Sequence, residues 1–191
     1  AANAVLMEVE SGAVYASHAY LPHGTAGIAT IAFELVKQIG EPPGMILLPV
    51  GHGSLLLGIY LGFQALLDCG EITRLPKLVG IQSAVCSPLV DAYQSGNVEP
   101  GIVAEGKTLA EGVAIANPYH GKAVLNAVKN SEGLFLRVHE NRISQGQKEL
   151  AKLGIYVELT SALVWDGLTQ VQSTPADPIV CIITGHGLKS G

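Results

Sequence analysis

Apolar residues follow two alternating patterns along the chain: short continuous runs, and longer stretches with helical spacing. The short runs predict buried strands over residues 13–16, 45–50, 78–82, 134–138, 155–157 and 179–184. The longer stretches predict helices over residues 1–10, 24–39, 55–69, 87–94, 121–130, 140–153 and 160–171. We expect Thr160 or Ser161 to cap the last helix. Residues 97–118 are predicted to be irregular, apart from a helical segment over 109–114.

The order of these elements predicts an α/β fold. The strands show no polar alternation, which indicates burial on both faces, so we expect a three-layer parallel sheet flanked by helices. Residues 1–191 then form a single domain, and the lack of a capping residue before the first helix suggests that the chain starts within an element. Ligands of such sheets bind beyond the carboxyl ends of the strands, where Gly51 and residues 158–161 and 184–187 are expected.

The most informative turn joins the strand at residues 45–50 to the next helix and reads Gly51, His52, Gly53, Ser54, Leu55. It places a helix N-terminus, with unpartnered amides and a positive dipole end, beside glycines that permit close approach. The turn therefore either binds an anion such as phosphate or forms a helix start capped by Ser54. It matches neither GxxxxGK[ST] nor GxGxxG, which argues against a nucleoside-triphosphate or dinucleotide site.

Composition narrows the possible partners. Charged residues make up only 14% of the chain, against about a quarter in typical soluble domains, so we expect another segment to cover part of the surface. The net charge of -5 argues against nucleic acid, and no apolar run is long enough for a membrane span. The cysteines are isolated and lack CxxC spacing, which argues against disulfides or structural zinc and favours a cytoplasmic location.

Other candidate catalytic groups carry weaker signals. The histidines show neither an HExxH motif nor an i, i+4 pair, so no metal site is predicted. They are His18, His23, His52, His120, His139 and His186. We expect packing or hydrogen-bonding roles for His52 and His186. Ser54 lacks the GxSxG context of a hydrolase nucleophile, and Glu158 and Asp166 are expected to be solvated or capping charges.

Four segments together resemble the fold type II pyridoxal-phosphate enzymes, the tryptophan synthase beta class, and within that class the threonine synthases. The segments are LPVGHGSLLLG at residues 48–58, LAEGVAIANP at 109–118, GIYVELTSAL at 154–163 and TGHGLK at 184–189. The resemblance implies pyridoxal phosphate as the cofactor and the large-domain fold of these enzymes.

The resemblance also implies roles for particular residues. It implies that the amides of one loop hold the cofactor phosphate: Gly51, His52, Gly53, Ser54 and Leu55. The resemblance implies that the Thr160 hydroxyl hydrogen-bonds the pyridine nitrogen of the cofactor. As a neutral partner, it makes the cofactor ring a weaker electron sink than an aspartate would. Leu159 stands where the family usually has proline. The segment at residues 110–112 is implied to line the cofactor ring.

The resemblance is to the C-terminal portion of such an enzyme. Family members link the cofactor to a lysine far upstream of the glycine turn, whereas only 47 residues precede Leu48 here. None of the chain's lysines lies in that motif, so we predict no catalytic residue and expect this chain alone to be inactive. The catalytic lysine is then expected in a missing N-terminal portion.

Two functions follow from these expectations. The first is the C-terminal part of a lyase resembling threonine synthase, an enzyme that converts O-phosphohomoserine to threonine and phosphate. The second is a non-catalytic relative that acts as a binding or interaction domain. Within the enzyme class, threonine dehydratase, cysteate synthase and cysteine synthase are alternatives. The expected partners are an amino-acid substrate in the full-length protein, the missing N-terminal portion and a second copy in a homodimer.

Overall fold

The computed structural model describes residues 2–17, 22–104, 106–171 and 178–190 of the chain. Its strands form one parallel sheet in the order β3-β2-β1-β4. They are β1 (Met45–Pro49), β2 (Lys77–Ser83), β3 (Leu134–Val138) and β4 (Ile179–Cys181). Strand β1 pairs with β2 on one side and with β4 on the other, and all its residues are buried. A fully apolar sequence therefore occupies the centre of the sheet.

The helices cover both faces of this sheet. They are α1 (Ala2–Glu10), α2 (Pro22–Ile39), α3 (Ser54–Asp68), α4 (Pro88–Gln94), α5 (Gly121–Asn130), α6 (Glu140–Lys152) and α7 (Leu159–Val171), with short 3-10 helices at Glu111–Val113 and Gly187–Ser190. One apolar core joins α2, α3, α4 and α5 to the sheet, and a second core joins α6 and α7 to its other face. The predicted three-layer α/β architecture is confirmed.

Two glycines on α3 allow this helix to lie close against α2. A Cβ atom on Gly58 would lie 2.5 Å from Ile28 Cγ2, and one on Gly62 would lie 2.8 Å from the Cβ atom of Ala32. Larger side chains at these positions would push the helices apart. Close packing along its length therefore fixes the axis of α3, and with it the position of its N-terminus.

Most predicted elements are present, and five predictions need correction. The strand predicted over residues 179–184 is shorter and ends at Cys181. Residues 13–16 form no strand, residues 155–157 form only an isolated bridge between Val157 and His186, and the helical segment near residue 109 is the single turn Glu111–Val113. Helix α7 begins at Leu159, so Thr160 and Ser161 lie inside its first turn and do not cap it. The Ser161 hydroxyl instead accepts the amides of Thr184 and Gly185, 2.8 and 3.0 Å away, in the segment after β4.

Among the described residues, no helix combines the length and the apolar character that a membrane crossing requires.

Candidate functional site

A cavity of about 440 Å³ lies beyond the carboxyl end of β1. The N-terminal turn of α3 forms one wall, and the Glu111–Val113 helix, the start of α7 and the segment after β4 contribute to the others. All six residues that the sequence assigned to the cofactor line this cavity: Gly51, His52, Gly53, Ser54, Leu55 and Thr160. The folding of distant segments thus brings the glycine turn and Thr160 together.

The glycine turn has a backbone that other residues could not easily adopt. Gly53 precedes the first residue of α3 with φ of 96°, in the left-handed region, and a Cβ atom there would run into Val124 Cγ2. A Cβ atom on Gly51 would lie 2.6 Å from the Gly112 carbonyl oxygen. No side chain caps α3, so the alternative prediction of a cap by Ser54 is wrong. The first amides of α3 are therefore available to a ligand.

Ser54 supplies a second sign of a ligand at this helix end. Its hydroxyl oxygen is buried and, among the described residues, has no hydrogen-bond partner. A buried polar group without a partner costs about 1–3 kcal/mol. An anion at the N-terminus of α3 would accept a hydrogen bond from this hydroxyl and from the adjacent amides.

His52 and His186 have separate contacts. The Nδ1 atom of His52 accepts the Tyr119 amide at 3.4 Å, and its carbonyl oxygen accepts the His120 amide at 3.1 Å, so His52 ties the glycine turn to the segment before α5. The His186 ring packs edge-on against Tyr156, with centroids 5.7 Å apart. These contacts agree with the predicted packing and hydrogen-bonding roles.

Thr160 contacts the short helix at residues 111–113, and both line the cavity. Its hydroxyl oxygen accepts the Gly112 amide at 3.1 Å, and a Cβ atom on Gly112 would lie 2.9 Å from that oxygen. Gly112 and Val113 line the cavity, whereas Ala110 is fully buried behind them. Of the segment at residues 110–112, Gly112 is therefore the residue placed at the cavity.

Two further polar residues line the cavity, Glu158 and Thr184. The sequence placed both at the ligand-binding edge of the sheet but assigned neither of them to the cofactor. The Thr184 hydroxyl lies 2.8 Å from Ser161 Oγ and donates to Glu158 Oε1 at 3.2 Å. Thr184 begins the TGHGLK segment, so the sequence contained a signal for it. Glu158 was expected to be a solvated or capping charge, and its place in the cavity depends on the return of the chain after β4.

Asp166 has a structural role instead of the expected solvated one. It is buried, accepts a hydrogen bond from Arg142 Nε at 2.6 Å, and accepts another from Gln170 Nε2 at 3.1 Å. The ion pair joins α6 to α7 and does not line the cavity. Asp166 therefore stabilises the packing of α7, the helix that carries Thr160.

In the part of the chain that the structure describes, no three His, Cys, Asp or Glu side chains are grouped so that they could hold a metal ion. Of the histidines considered above, His18 lies outside the described residues.

Comparison with known proteins identifies the family of this chain. The model of the family described as pyridoxal-phosphate dependent enzymes matches residues 1–185. The chain belongs to the pyridoxal-phosphate dependent enzyme family. Its members depend on pyridoxal phosphate, so the cofactor implied by the four sequence segments is the cofactor of the family.

Several relatives of this pyridoxal-phosphate family member are threonine synthases. The one from Methanosarcina acetivorans is 35% identical over 184 residues, which are 92% of this chain and 45% of the relative. The one from Methanocaldococcus jannaschii is 34% identical, and the match covers 92% of this chain and 45% of the relative. This chain therefore spans about half the length of the curated relatives it matches.

Solved structures show the same fold. The processed form of threonine deaminase isoform 2 from Solanum lycopersicum matches with a TM-score of 0.78 and 20% identity, covering 97% of this chain and 49% of that chain. An identity this low supports the shared fold and nothing about the substrate.

Proposed function

We propose that this chain is the C-terminal, cofactor-phosphate-binding part of a pyridoxal-phosphate-dependent lyase that, like threonine synthase, converts O-phosphohomoserine to threonine and phosphate. Residues 1–191 form one domain of that enzyme. The observation that carries the proposal is the uncapped N-terminus of α3, where the buried Ser54 hydroxyl lacks a partner among the described residues. The alternative of a helix start without a ligand leaves this hydroxyl unexplained.

The phosphate-binding residues are Gly51, His52, Gly53, Ser54 and Leu55. The helix end contributes its positive dipole and its amides, and Ser54 contributes a hydroxyl donor. Hydrogen bonds to a charged group contribute about 1.5–3 kcal/mol each, so a few of them suffice for measurable binding. The packing of the turn requires glycine at Gly51 and Gly53, since a Cβ atom at either position would meet Gly112 or Val124.

Two threonines, Thr160 and Thr184, also line the cavity. In our proposal the Thr160 hydroxyl faces the ring nitrogen, because its oxygen accepts the Gly112 amide and its proton has no acceptor among the described residues. Thr184 is a second candidate, because Ser161 and Glu158 fix its hydroxyl at the same cavity. Either hydroxyl is a neutral partner. Bound pyridoxal phosphate supplies the electron sink for the chemistry at the substrate, and the partner of its nitrogen tunes that sink.

Valine substitutions distinguish these two threonines. Thr160→Val and Thr184→Val each remove one hydroxyl and keep the side-chain shape. We expect the absorption spectrum of bound pyridoxal phosphate to change more in the Thr160→Val variant. A larger change in the Thr184→Val variant would transfer the role to Thr184.

The described lining of the cavity contains no lysine. A covalent link between protein and cofactor requires an amine at the cavity, so we propose that the missing N-terminal portion supplies it. The chain alone should bind the phosphate of the cofactor without catalysing the reaction. The substrate and any second copy in a homodimer would then engage the full-length protein.

Phosphate release from O-phosphohomoserine tests this division of roles. The chain alone should release none, whereas the full-length protein from the same gene should release phosphate and form threonine. Release by the chain alone would contradict the proposal. Deamination of threonine by the full-length protein, without phosphate release from O-phosphohomoserine, would favour threonine dehydratase. A gene that encodes no upstream lysine motif would favour a non-catalytic binding domain.

A further inference from the structure

Glu140 is the first residue of α6 and does not line the cavity, yet both oxygens of its carboxylate have hydrogen-bond partners. Its Oε1 atom accepts the hydroxyls of Ser83 at 2.6 Å and Thr108 at 2.8 Å, and its Oε2 atom accepts the Leu109 amide at 2.7 Å. Hydrogen bonds to a carboxylate are stronger than those between neutral groups, and the positive end of the α6 dipole favours a carboxylate at this position. Glu140 is therefore the centre of a strong polar cluster.

The cluster joins two rigid elements to an irregular segment. Ser83 is the last residue of β2 and is fully buried, and Glu140 belongs to α6, whose Ile143 is fully buried in the core. The other two partners of the carboxylate belong to residues 97–110, where the described residues form neither helix nor strand. Without regular backbone pairing, the position of this segment depends on side-chain contacts such as those to Glu140.

The same segment leads from Glu140 to the cavity. Thr108 Oγ1 accepts the Ala110 amide at 3.1 Å, and Ala110 is fully buried. The Ala110 carbonyl oxygen then accepts the Val113 amide at 3.0 Å, which closes the short helix that contributes to the cavity wall. Each of these hydrogen bonds joins residues only two or three positions apart. Fixing Thr108 and Leu109 therefore fixes the short helix as well.

The short helix in turn orients the Thr160 hydroxyl. Its Gly112 amide donates to Thr160 Oγ1 at 3.1 Å, so the hydroxyl proton points away from Gly112. We propose that Glu140 is a positioning residue: it anchors residues 108–113 to β2 and α6 and so holds the Gly112 amide where that amide turns the Thr160 hydroxyl toward the cofactor ring. The inference rests on the proposed function and adds to it a residue outside the cavity.

The test compares two probes by calorimetric titration of the 191-residue chain. One probe is pyridoxamine phosphate, which carries the ring but has no aldehyde to react with lysines, and the other is inorganic phosphate. The Glu140→Gln substitution keeps the size of the side chain but replaces one accepting oxygen with an amide NH₂ group. We expect this variant to bind pyridoxamine phosphate about fivefold more weakly, the size of one neutral hydrogen bond, and inorganic phosphate within about twofold of wild type.

The Thr160→Val background shows whether the effect of Glu140 passes through Thr160. Thr160→Val alone should weaken pyridoxamine phosphate about fivefold, and Glu140→Gln should then weaken it by less than a further twofold or so. A residue that only stabilised the fold would have the same effect on binding in both backgrounds. Equal losses in both backgrounds, equal losses for both probes, or no loss for either probe would overturn the inference.

Glu149→Gln is the matched control, because Glu149 also lies on α6, accepts only an exposed contact from Lys152 among the described residues, and does not line the cavity. It should leave both affinities within about twofold of wild type. If Glu140→Gln fails to fold, Thr108→Val serves instead, because it removes one hydrogen bond to the carboxylate and should weaken pyridoxamine phosphate more than inorganic phosphate. Equal affinities of wild type and Thr108→Val for pyridoxamine phosphate would then overturn the inference.

Ser54→Ala separates this inference from the proposed function. It should weaken both probes, because both place phosphate at α3. If it does so while Glu140→Gln or Thr160→Val leaves the affinity for pyridoxamine phosphate unchanged, the inference falls and the proposed function stands. If the wild-type chain binds neither probe, both fall.

Discussion

The substitution Gly53→Ala probes the geometry of the glycine turn. Gly53 has φ of 96°, and a Cβ atom there would run into Val124 Cγ2. The left-handed backbone costs a residue with a Cβ atom about 1–2 kcal/mol, and forcing an extra methyl into a packed region costs about 1–3 kcal/mol. We therefore expect the free energy of unfolding to fall by about 2–5 kcal/mol, measured by urea denaturation.

Gly70→Ala is the matched control for this change. Gly70 has φ of 75°, and nothing lies within 4 Å of a Cβ atom built there. It should lose only the backbone part, about 1–2 kcal/mol. In a Gly53→Ala variant that also carries Val124→Ala, the contact is relieved, so the two substitutions should cost less together than the sum of their separate costs. Equal destabilisation by Gly53→Ala and Gly70→Ala, with no such coupling, would refute the close contact with α5.

Three further predictions concern single side chains. Ser54→Ala removes a buried hydroxyl without a described partner, so in urea denaturation the free energy of unfolding of the ligand-free chain should stay unchanged or rise by about 1 kcal/mol. A fall of more than about 1 kcal/mol in the free energy of unfolding would argue that this hydroxyl has a partner. Arg142→Met should lower the free energy of unfolding by about 2 kcal/mol, because it leaves the Asp166 carboxylate, only 10% exposed, without its ion pair. The control Lys152→Met breaks an exposed ion pair and should lower the free energy of unfolding by less than about 0.5 kcal/mol in the same assay. Burial raises the pKa of the Cys181 thiol, so at pH 8 iodoacetamide should modify the exposed Cys69 before Cys181. The difference between the two modification rates should become smaller as the pH rises. Peptide mass spectrometry would show the order, and faster modification of Cys181 than of Cys69 would contradict the prediction.

Elements with a strong local pattern could be predicted closely from the sequence. Helix α5 and strand β3 begin and end at the predicted residues. Gly121–Asn130 places apolar residues along one helical face, and Leu134–Val138 is a short run between turns that is apolar except for Arg137. The glycine turn was also located correctly, since its two glycines separate a buried strand from an apolar helix. In each case the information lies within a few neighbouring residues.

The remaining features depend on contacts between distant segments. The apolar residues at 155–157 do not form a strand, because their pairing with the segment after β4 is a single antiparallel bridge between Val157 and His186. Ser161 does not cap α7, because the helix already begins at Leu159, and the Ser161 hydroxyl instead accepts amides of the segment after β4. The place of Glu158 in the cavity depends on that same segment. No spacing rule within the sequence states where the chain returns after β4, so these contacts became visible only in the fold.

Titration of the chain with pyridoxamine phosphate tests the central claim most directly, with inorganic phosphate as competitor. The account predicts saturable binding of one ligand per chain, competition by phosphate, and about tenfold weaker binding after Ser54→Ala. Ser95→Ala, at a serine that follows α4 and does not line the cavity, should leave the affinity unchanged. Binding that phosphate does not displace, or that Ser54→Ala leaves intact, would contradict a phosphate site at the N-terminus of α3.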